Sequence, residues 1–359
     1  MPESPSSGKR NWLYALSIGV AACLLIALLI PRANDDGTIQ GETMGTTYTV
    51  RFLKPDKLPW EKAHTERLAR EIARCLSDVN AKMSTYTPDS ELSRFNESPA
   101  HVPFELSPET FEVFEAALAI SAESAGAFDI TVGPLVNAYG FGPPPEPPAL
   151  PTGEQLEALR QRVGYRLLAL DPPSRTILKP RADVYCDLSG IAKGYAVDRV
   201  AEVMKAHGLT DYMVEVGGEV RVRGLNPDGM AWRIGIERPT RDGTRVVMRA
   251  VELVDRALAT SGDYRNYYIV DGRVYSHMID PRTAMPVDHA LASVTVLDQK
   301  AMIADGWATA LMVLGPDEGY NLAEARGMAA LFLVRTADGN IAERFTTAFA
   351  GLTVGPGKR

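Results

Sequence analysis

Residues 256–314 read RALATSGDYRNYYIVDGRVYSHMIDPRTAMPVDHALASVTVLDQKAMIADGWATALMVL. The small residues Ala259-Thr260-Ser261-Gly262 predict a turn, and Asp271-Gly272 predicts a tight hairpin between two strand-like runs. A His-x-x-Asp-Pro loop begins at His277, followed by an alternating strand over 291–297 and a helix over 300–314 closed by Gly315. On that helix Asp305 and Thr309 stand four residues apart, which puts a carboxylate and a hydroxyl on one face. Such a pair of hard oxygens suits a cation such as Mg²⁺. It also suits an ordinary helix, with Thr309 bonding the carbonyl four residues back and Asp305 solvated.

Outward from this stretch, a helix over 317–326 and a strand over 329–334 follow it. Before it, alternation predicts strands over 46–52, 165–170, 182–186, 212–216, 219–223, 231–237 and 245–253. A helix over 61–80 buries one face through Leu68, Ile72, Cys75, Leu76 and Val79. A second runs over 107–125, with Ser107 as N-cap and Pro108 in its first turn, and a third over 152–163 opens on a Thr-x-x-Gln box. Residues 143–151 are proline-rich and extended. Strands and helices mix without a regular βαβ alternation, so the fold class is α+β, a largely antiparallel sheet with packed helices. There is no internal repeat, Rossmann fingerprint or phosphate-binding Walker motif.

The 359 residues are 45% hydrophobic and 23% charged, a globular composition with enough chain for a full core. The formal net charge of −7, with no basic block among aromatics, argues against nucleic acid as a partner. Residues 12–30, WLYALSIGVAACLLIALLI, form an uncharged apolar run. At about 28 Å as a helix it matches the hydrocarbon thickness of a bilayer. Lys9 and Arg10 before it favour an inside N-terminus and an exported remainder. The expected organisation is a cytoplasmic segment 1–11, a transmembrane signal anchor 12–30, a linker 31–40 and one domain over 41–355. Val20-Ala21-Ala22-Cys23 also resembles a lipobox, which would make Cys23 a lipid attachment site. Cys75 and Cys186 can pair in an oxidising compartment, lack zinc-site spacing, and are read as packing residues.

Four further motifs offer chemistry. Asp187-Leu188-Ser189-Gly190-Ile191-Ala192-Lys193-Gly194 opens a helix running to about His207. Gly190 allows close backbone approach, the helix N-terminus favours phosphate, and Lys193 adds charge. Asp187 is equally open as a helix cap. Ala127-Phe128-Asp129 offers an aromatic face and a carboxylate, or simply a core Phe. Gly217-Gly218 suggests a bulge or close backbone approach. His277, beside Asp280-Pro281, is a candidate base or phosphate contact. Together these suit a phosphorylated nucleotide or dinucleotide with Mg²⁺.

The ordered motifs Thr43–Tyr48, Met83–Tyr86, Ser90–Asn96, Phe128–Pro134, Asp187–Gly194, Ala259–Tyr264, Ser276–Pro281 and Asp305 with Thr309 resemble the ApbE family of FAD:protein FMN transferases. The resemblance covers roughly Gly41 to Val354. It implies a T-fold-like α+β domain, exported and held at the bacterial inner membrane with a periplasmic catalytic domain. It implies a Mg²⁺-dependent enzyme that takes FAD as substrate, joins FMN through a phosphoester to Thr or Ser of a target protein, and releases AMP. The implied acceptors are subunits of redox complexes, of the sodium-pumping NADH:quinone oxidoreductase or Rnf type. By the same resemblance Met44, Tyr86, Ala127, Phe128, Asp129, Asp187, Lys193 and Ile279 are FAD contacts. Asp305, Thr309 and the carbonyl of Gly190 are metal ligands, and His277 lies near the reacting phosphate as a base on the acceptor hydroxyl. Two positions depart from the pattern: Ala308 stands where several members carry a second Asp, and Ala284 where Gly is usual. Competing readings are hydrolysis of FAD to FMN and AMP, and flavin binding without turnover.

Overall fold

The computed structural model describes residues 36–55, 60–143, 150–242 and 244–352. Its centre is an eight-stranded antiparallel sheet. In chain order the strands are β1 (Asp36–Thr43), β2 (Thr46–Leu53), β3 (Tyr212–Val216), β4 (Glu219–Arg223), β5 (Arg256–Gly262), β6 (Leu291–Asp298), β7 (Ala329–Arg335) and β8 (Ile341–Phe345). They lie side by side in that same order, so every connection joins sheet neighbours even where a helix is inserted. Four long helices are α1 (Lys62–Met83), α2 (Pro108–Glu123), α3 (Ala192–Ala206) and α4 (Ala301–Ala325).

Alternation along the strands sorts side chains to two faces. Val50, Phe52, Val214, Val216, Ala257, Ala259, Val294 and Val296 turn toward the helices and build the main core. Helix α3 packs on β3 and β4, and α4 on β5 and β6; the two helices pack on each other. The opposite face carries Met213, Val220, Val222, Leu258 and Leu331. It is covered by Trp232, Ile234, Ile236, Val251 and Leu253 of a hairpin formed by Trp232–Glu237 and Val247–Leu253. With both faces covered, β3 is buried at all five positions.

The expected α+β class with a large antiparallel sheet is the observed one. Ser107 caps α2 with Pro108 in its first turn, and Thr152 and Gln155 form the reciprocal capping box. Asp271-Gly272 is the bend between Tyr267–Val270 and Arg273–Ser276.

Several elements differ from expectation. Residues 36–40 of the predicted linker are the start of β1, held by pairing with β2 from Asp36↔Leu53 onward. The predicted turn at Ala259–Gly262 is the end of β5, which pairs with β6 through Gly262↔Ser293. No strand forms over 182–186. There, Lys179 Nζ donates to the carbonyls of Ala182 and Val184 at 3.0 and 3.1 Å, and Asn96 exchanges two hydrogen bonds with the backbone of Cys186. Side chains thus satisfy backbone groups that a sheet partner would otherwise take. One boundary does hold: as expected, a helix closes at Gly315, which stands at φ +85° with Pro316 behind it, and a second helix continues from this kink to Ala325, so α4 is two helices joined there. Cys75 and Cys186 are both free thiols, the first packed against the main core and the second buried in it. Among the described residues no helix is long and apolar enough to cross a membrane. The predicted anchor 12–30, Cys23, and most of the proline-rich segment lie outside the described residues.

Candidate active site

The pairing of β5 sets the site. It meets β4 only from Arg256↔Val222 to Leu258↔Val220, but follows β6 all the way to Gly262. The sheet therefore parts where β5 runs on past β4. Into this region come the Gly217-Gly218 bend between β3 and β4 and the first turn of α3. A cavity of about 890 Å³ lies here, within the range of sites for cofactor-sized ligands.

Both bend glycines have positive φ, +63° and +112°, as a two-residue hairpin requires. A Cβ at Gly217 would sit 2.9 Å from the Thr46 side chain and 3.2 Å from Lys193 Cδ. The bend places Glu219 opposite Val216, on the helix side of the sheet. There its carboxylate stands 3.1 Å from Lys193 Nζ, and Lys193 also lies 3.8 Å from Asp305.

Asp305 is 2% exposed, so the solvated alternative fails. Its Oδ2 accepts a hydrogen bond from Gly194 N at 2.9 Å, tying α4 to the start of α3. Burial raises its carboxyl above the usual range, against the opposing pull of Lys193. Burial likewise raises Glu219, against the opposing pull of Lys193, and the charge of Asp305 adds to the rise. Burial works against the charge of Lys193, but Asp305 and Glu219 outweigh it and hold the ammonium protonated.

Thr309 Oγ1 lies 3.4 Å from the Gly190 carbonyl and 3.2 Å from Ser261 Oγ, so its hydroxyl faces the α3 approach and β5. A Cβ at Gly190 would sit 3.1 Å from Phe128 and 3.2 Å from Thr309, close enough that those side chains would have to give by a few tenths of an ångström. Among the described residues no three His, Cys, Asp or Glu side chains form a metal cage. The hard oxygens that line the cavity here are the Asp305 carboxylate, the Thr309 hydroxyl and the Gly190 carbonyl. This hard-oxygen set fits Mg²⁺, which keeps several waters. Ala308, three residues after Asp305, is buried in the main core.

His277 lines the same cavity. Its Nδ1 is 3.0 Å from the Asn266 carbonyl. A carbonyl only accepts, so Nδ1 carries the hydrogen and Nε2 keeps its lone pair. Burial lowers the imidazole below its ordinary value, favouring this neutral form.

Tyr86, Ala127, Phe128, Asp129, Asp187, Gly190, Lys193, His277, Ile279, Asp305 and Thr309 all line the cavity. Met44 does not; it occupies the β1–β2 turn at φ +50° and packs against the main core. Asp129 has both oxygens engaged: Oδ1 accepts from Thr131 N and Oγ1 at 2.8 and 2.6 Å, and Oδ2 from Tyr165 N at 2.6 Å. It braces the aromatic loop. Asp187 is not the helix cap: Ile191 holds that position, and Asp187 Oδ1 instead accepts from Ser189 N at 2.8 Å. Lys193 is already shared by two acids. Glu219 was not expected; the signal for it is an acid directly after the Gly217-Gly218 bend, at the first position of a strand.

The fold and cavity define a helix-backed antiparallel-sheet protein that receives a cofactor-sized ligand beside a hard-oxygen cluster and a neutral imidazole. The ApbE family profile matches residues 44–332, and the chain belongs to that family. It is similar to the FAD:protein FMN transferase of Vibrio cholerae, 45% identical over 330 residues, 92% of this chain and 95% of the relative. It is 42% identical over 342 residues to that of Haemophilus influenzae, covering 94% and 96%. Among solved structures, the flavin transferase ApbE from Vibrio cholerae matches with TM-score 0.81 and 43% identity over 89% of this chain and 99% of the other. The apo flavinyl transferase ApbE of Pseudomonas stutzeri matches with TM-score 0.80 and 40% identity over 90% and 98%.

Proposed function

We propose that this chain moves the FMN half of FAD onto a Ser or Thr hydroxyl of a target protein. The acceptor oxygen forms a bond to the flavin-side phosphorus as the bond from that phosphorus to the AMP-side oxygen breaks. AMP leaves, and the hydroxyl proton passes to His277 Nε2. The observation that carries the reading is the commitment of Nδ1 to the Asn266 carbonyl, which leaves a neutral base at Nε2 in the cavity that also holds Asp305, Thr309 and Lys193. A hydroxyl is a weak nucleophile until a base takes its proton.

Asp305, Thr309 and the Gly190 carbonyl would hold Mg²⁺, which would neutralise charge developing on the phosphate oxygens. Phe128, braced by Asp129, offers an aromatic face to one of the dinucleotide rings. Lys193 supplies positive charge beside the diphosphate, and Ser261 orients the Thr309 hydroxyl. The chain would act from the membrane through residues 12–30, with its domain on the exported side. Its acceptors would be flavin-carrying subunits of redox complexes of the sodium-pumping NADH:quinone oxidoreductase or Rnf type.

The test is incubation of the chain with FAD, Mg²⁺ and a candidate acceptor domain, read as flavin fluorescence on a denaturing gel and as AMP release. Covalent label with AMP is the expected result. AMP without label on a proven acceptor means hydrolysis, and neither product removes turnover from the reading. Asp305→Ala should abolish the Mg²⁺-dependent signal; retained activity would remove Asp305 as a ligand.

A further inference from the structure

Glu219 is a buried acid that the proposed reaction does not use. It is 3% exposed and lines the cavity, and its Oε1 meets Lys193 Nζ at 3.1 Å. Its Oε2 is buried and finds no hydrogen-bond partner among the described residues. A carboxylate taken from water with one oxygen unsatisfied is costly, and such a group in a fold calls for a reason. Packing alone would be served by an apolar residue at this strand position.

The reason lies in how Lys193 is divided. Its ammonium is 3.8 Å from Asp305 and 3.1 Å from Glu219. An ammonium held on Asp305 would compete for the carboxylate that the metal reading needs, because two cations crowded onto the same carboxylate repel each other at short range. A second acid on the far side of Lys193 removes that conflict. The Gly217-Gly218 bend fixes this acid on the helix face of β4, and a Cβ at Gly217 would press on Lys193 itself. The lysine stem is thus confined between the bend and α4, with its head drawn toward Glu219.

We propose that Glu219 is a positioning residue that holds Lys193 off Asp305 and so keeps Asp305 open to a divalent cation. The inference rests on the metal reading above. It acts through Lys193, which separates it from a merely additive effect of one more negative charge.

The test is binding of Mn²⁺, a hard cation that stands in for Mg²⁺, to the full-length chain, read by the loss of the free-ion electron paramagnetic signal. Activity is not the readout. Glu219→Gln keeps the shape and removes the charge, and it should weaken binding by about tenfold, the lower end for groups acting behind a metal ligand. Lys193→Met removes the competitor and should tighten binding. In the Lys193→Met background, Glu219→Gln should change little, because the residue it acts on is gone. Glu219→Asp, which keeps the charge but stands one methylene farther back, should fall between the parent and Gln, and it serves if Gln unfolds the chain. Equal weakening with and without Lys193 overturns the inference in favour of simple charge, and unchanged binding in Glu219→Gln overturns it outright. If the parent chain takes up no Mn²⁺, the metal reading itself falls, and this inference with it.

Discussion

Gly194 N donates a 2.9 Å hydrogen bond to Asp305 Oδ2, so the first turn of α3 rests directly on the carboxylate of α4. Only a hydrogen fits on the α-carbon of residue 194. A Cβ there would lie 2.3 Å from the Ala301 carbonyl oxygen and 2.8 Å from Asp305 Cβ. Backbone cannot yield as a flexible side chain can. Gly194→Ala should therefore separate the helices, destabilise the fold by about 1–3 kcal/mol, and disorder the Asp305 site. A urea midpoint and transferase rate equal to those of the parent chain would contradict the close crossing.

Asp198 fixes the other end of the same contact. Its Oδ1 and Oδ2 accept from the backbone N–H groups of Ala301 and Met302 at 3.0 Å each, and Oδ1 also meets Arg221 Nη1 at 2.7 Å. A carboxylate from α3 thus caps α4 across 103 positions of chain, a task local caps usually perform. Asp198→Ala should cost about 2–3 kcal/mol, the cap plus a charge-assisted bond to Arg221. Asp198→Asn, which keeps one acceptor, should lose less. Denaturant titration of the two variants checks the order, and equal losses would point to charge alone.

These two contacts show what the sequence can and cannot display. Asp305 and Thr309 were legible because their relation is local, four residues on one helix. Their partners were not: Lys193 meets Glu219 only because the sheet brings β4 alongside the start of α3. Thr260–Gly262 lacks the bulky residues that usually mark strands. It is extended because β6 pairs with it, a tertiary effect that propensity does not carry. Residues 182–186 fail in the opposite way, since Lys179 and Asn96 supply the bonds that a strand partner would give. The Asp271-Gly272 hairpin, the Ser107 and Thr152 caps and the buried face of α1 rest on short-range chemistry, and the sequence displays them.

His277 makes the pH dependence specific. Burial disfavours its protonated form, so the neutral base persists below the ordinary imidazole range. The acid limb of kcat/KM should then lie below about pH 6.5. The same shift means that the unfolded chain binds the proton more readily, so this contribution to stability is present above that range and is lost as pH falls through it. His277→Ala should lower turnover about 10²- to 10⁴-fold and erase the limb. A limb that survives in the variant belongs to another group.

Ala284 sits at φ +61°, fully buried, with its carbonyl accepting from Tyr139 Oη at 3.2 Å. The left-handed backbone costs an alanine about 1–2 kcal/mol. Glycine would relieve that cost, but it would lose a buried methyl worth about 0.8 kcal/mol and gain unfolded-state freedom worth about 0.4–1 kcal/mol. The opposing effects nearly cancel, which explains how alanine is tolerated here. Ala284→Gly should therefore change stability by less than about 1 kcal/mol in either direction, on the same three effects. Ala284→Val has no such balance, because a β-branched residue is a true outlier at positive φ and the small cluster of Leu135, Tyr139 and Ile279 around it is closed. It should cost more than about 2 kcal/mol through backbone strain and overpacking together. Thermal unfolding of the two variants decides the point: a large stabilisation by Gly would mean that strain dominates, and a neutral Val would mean that the turn can leave the left-handed region.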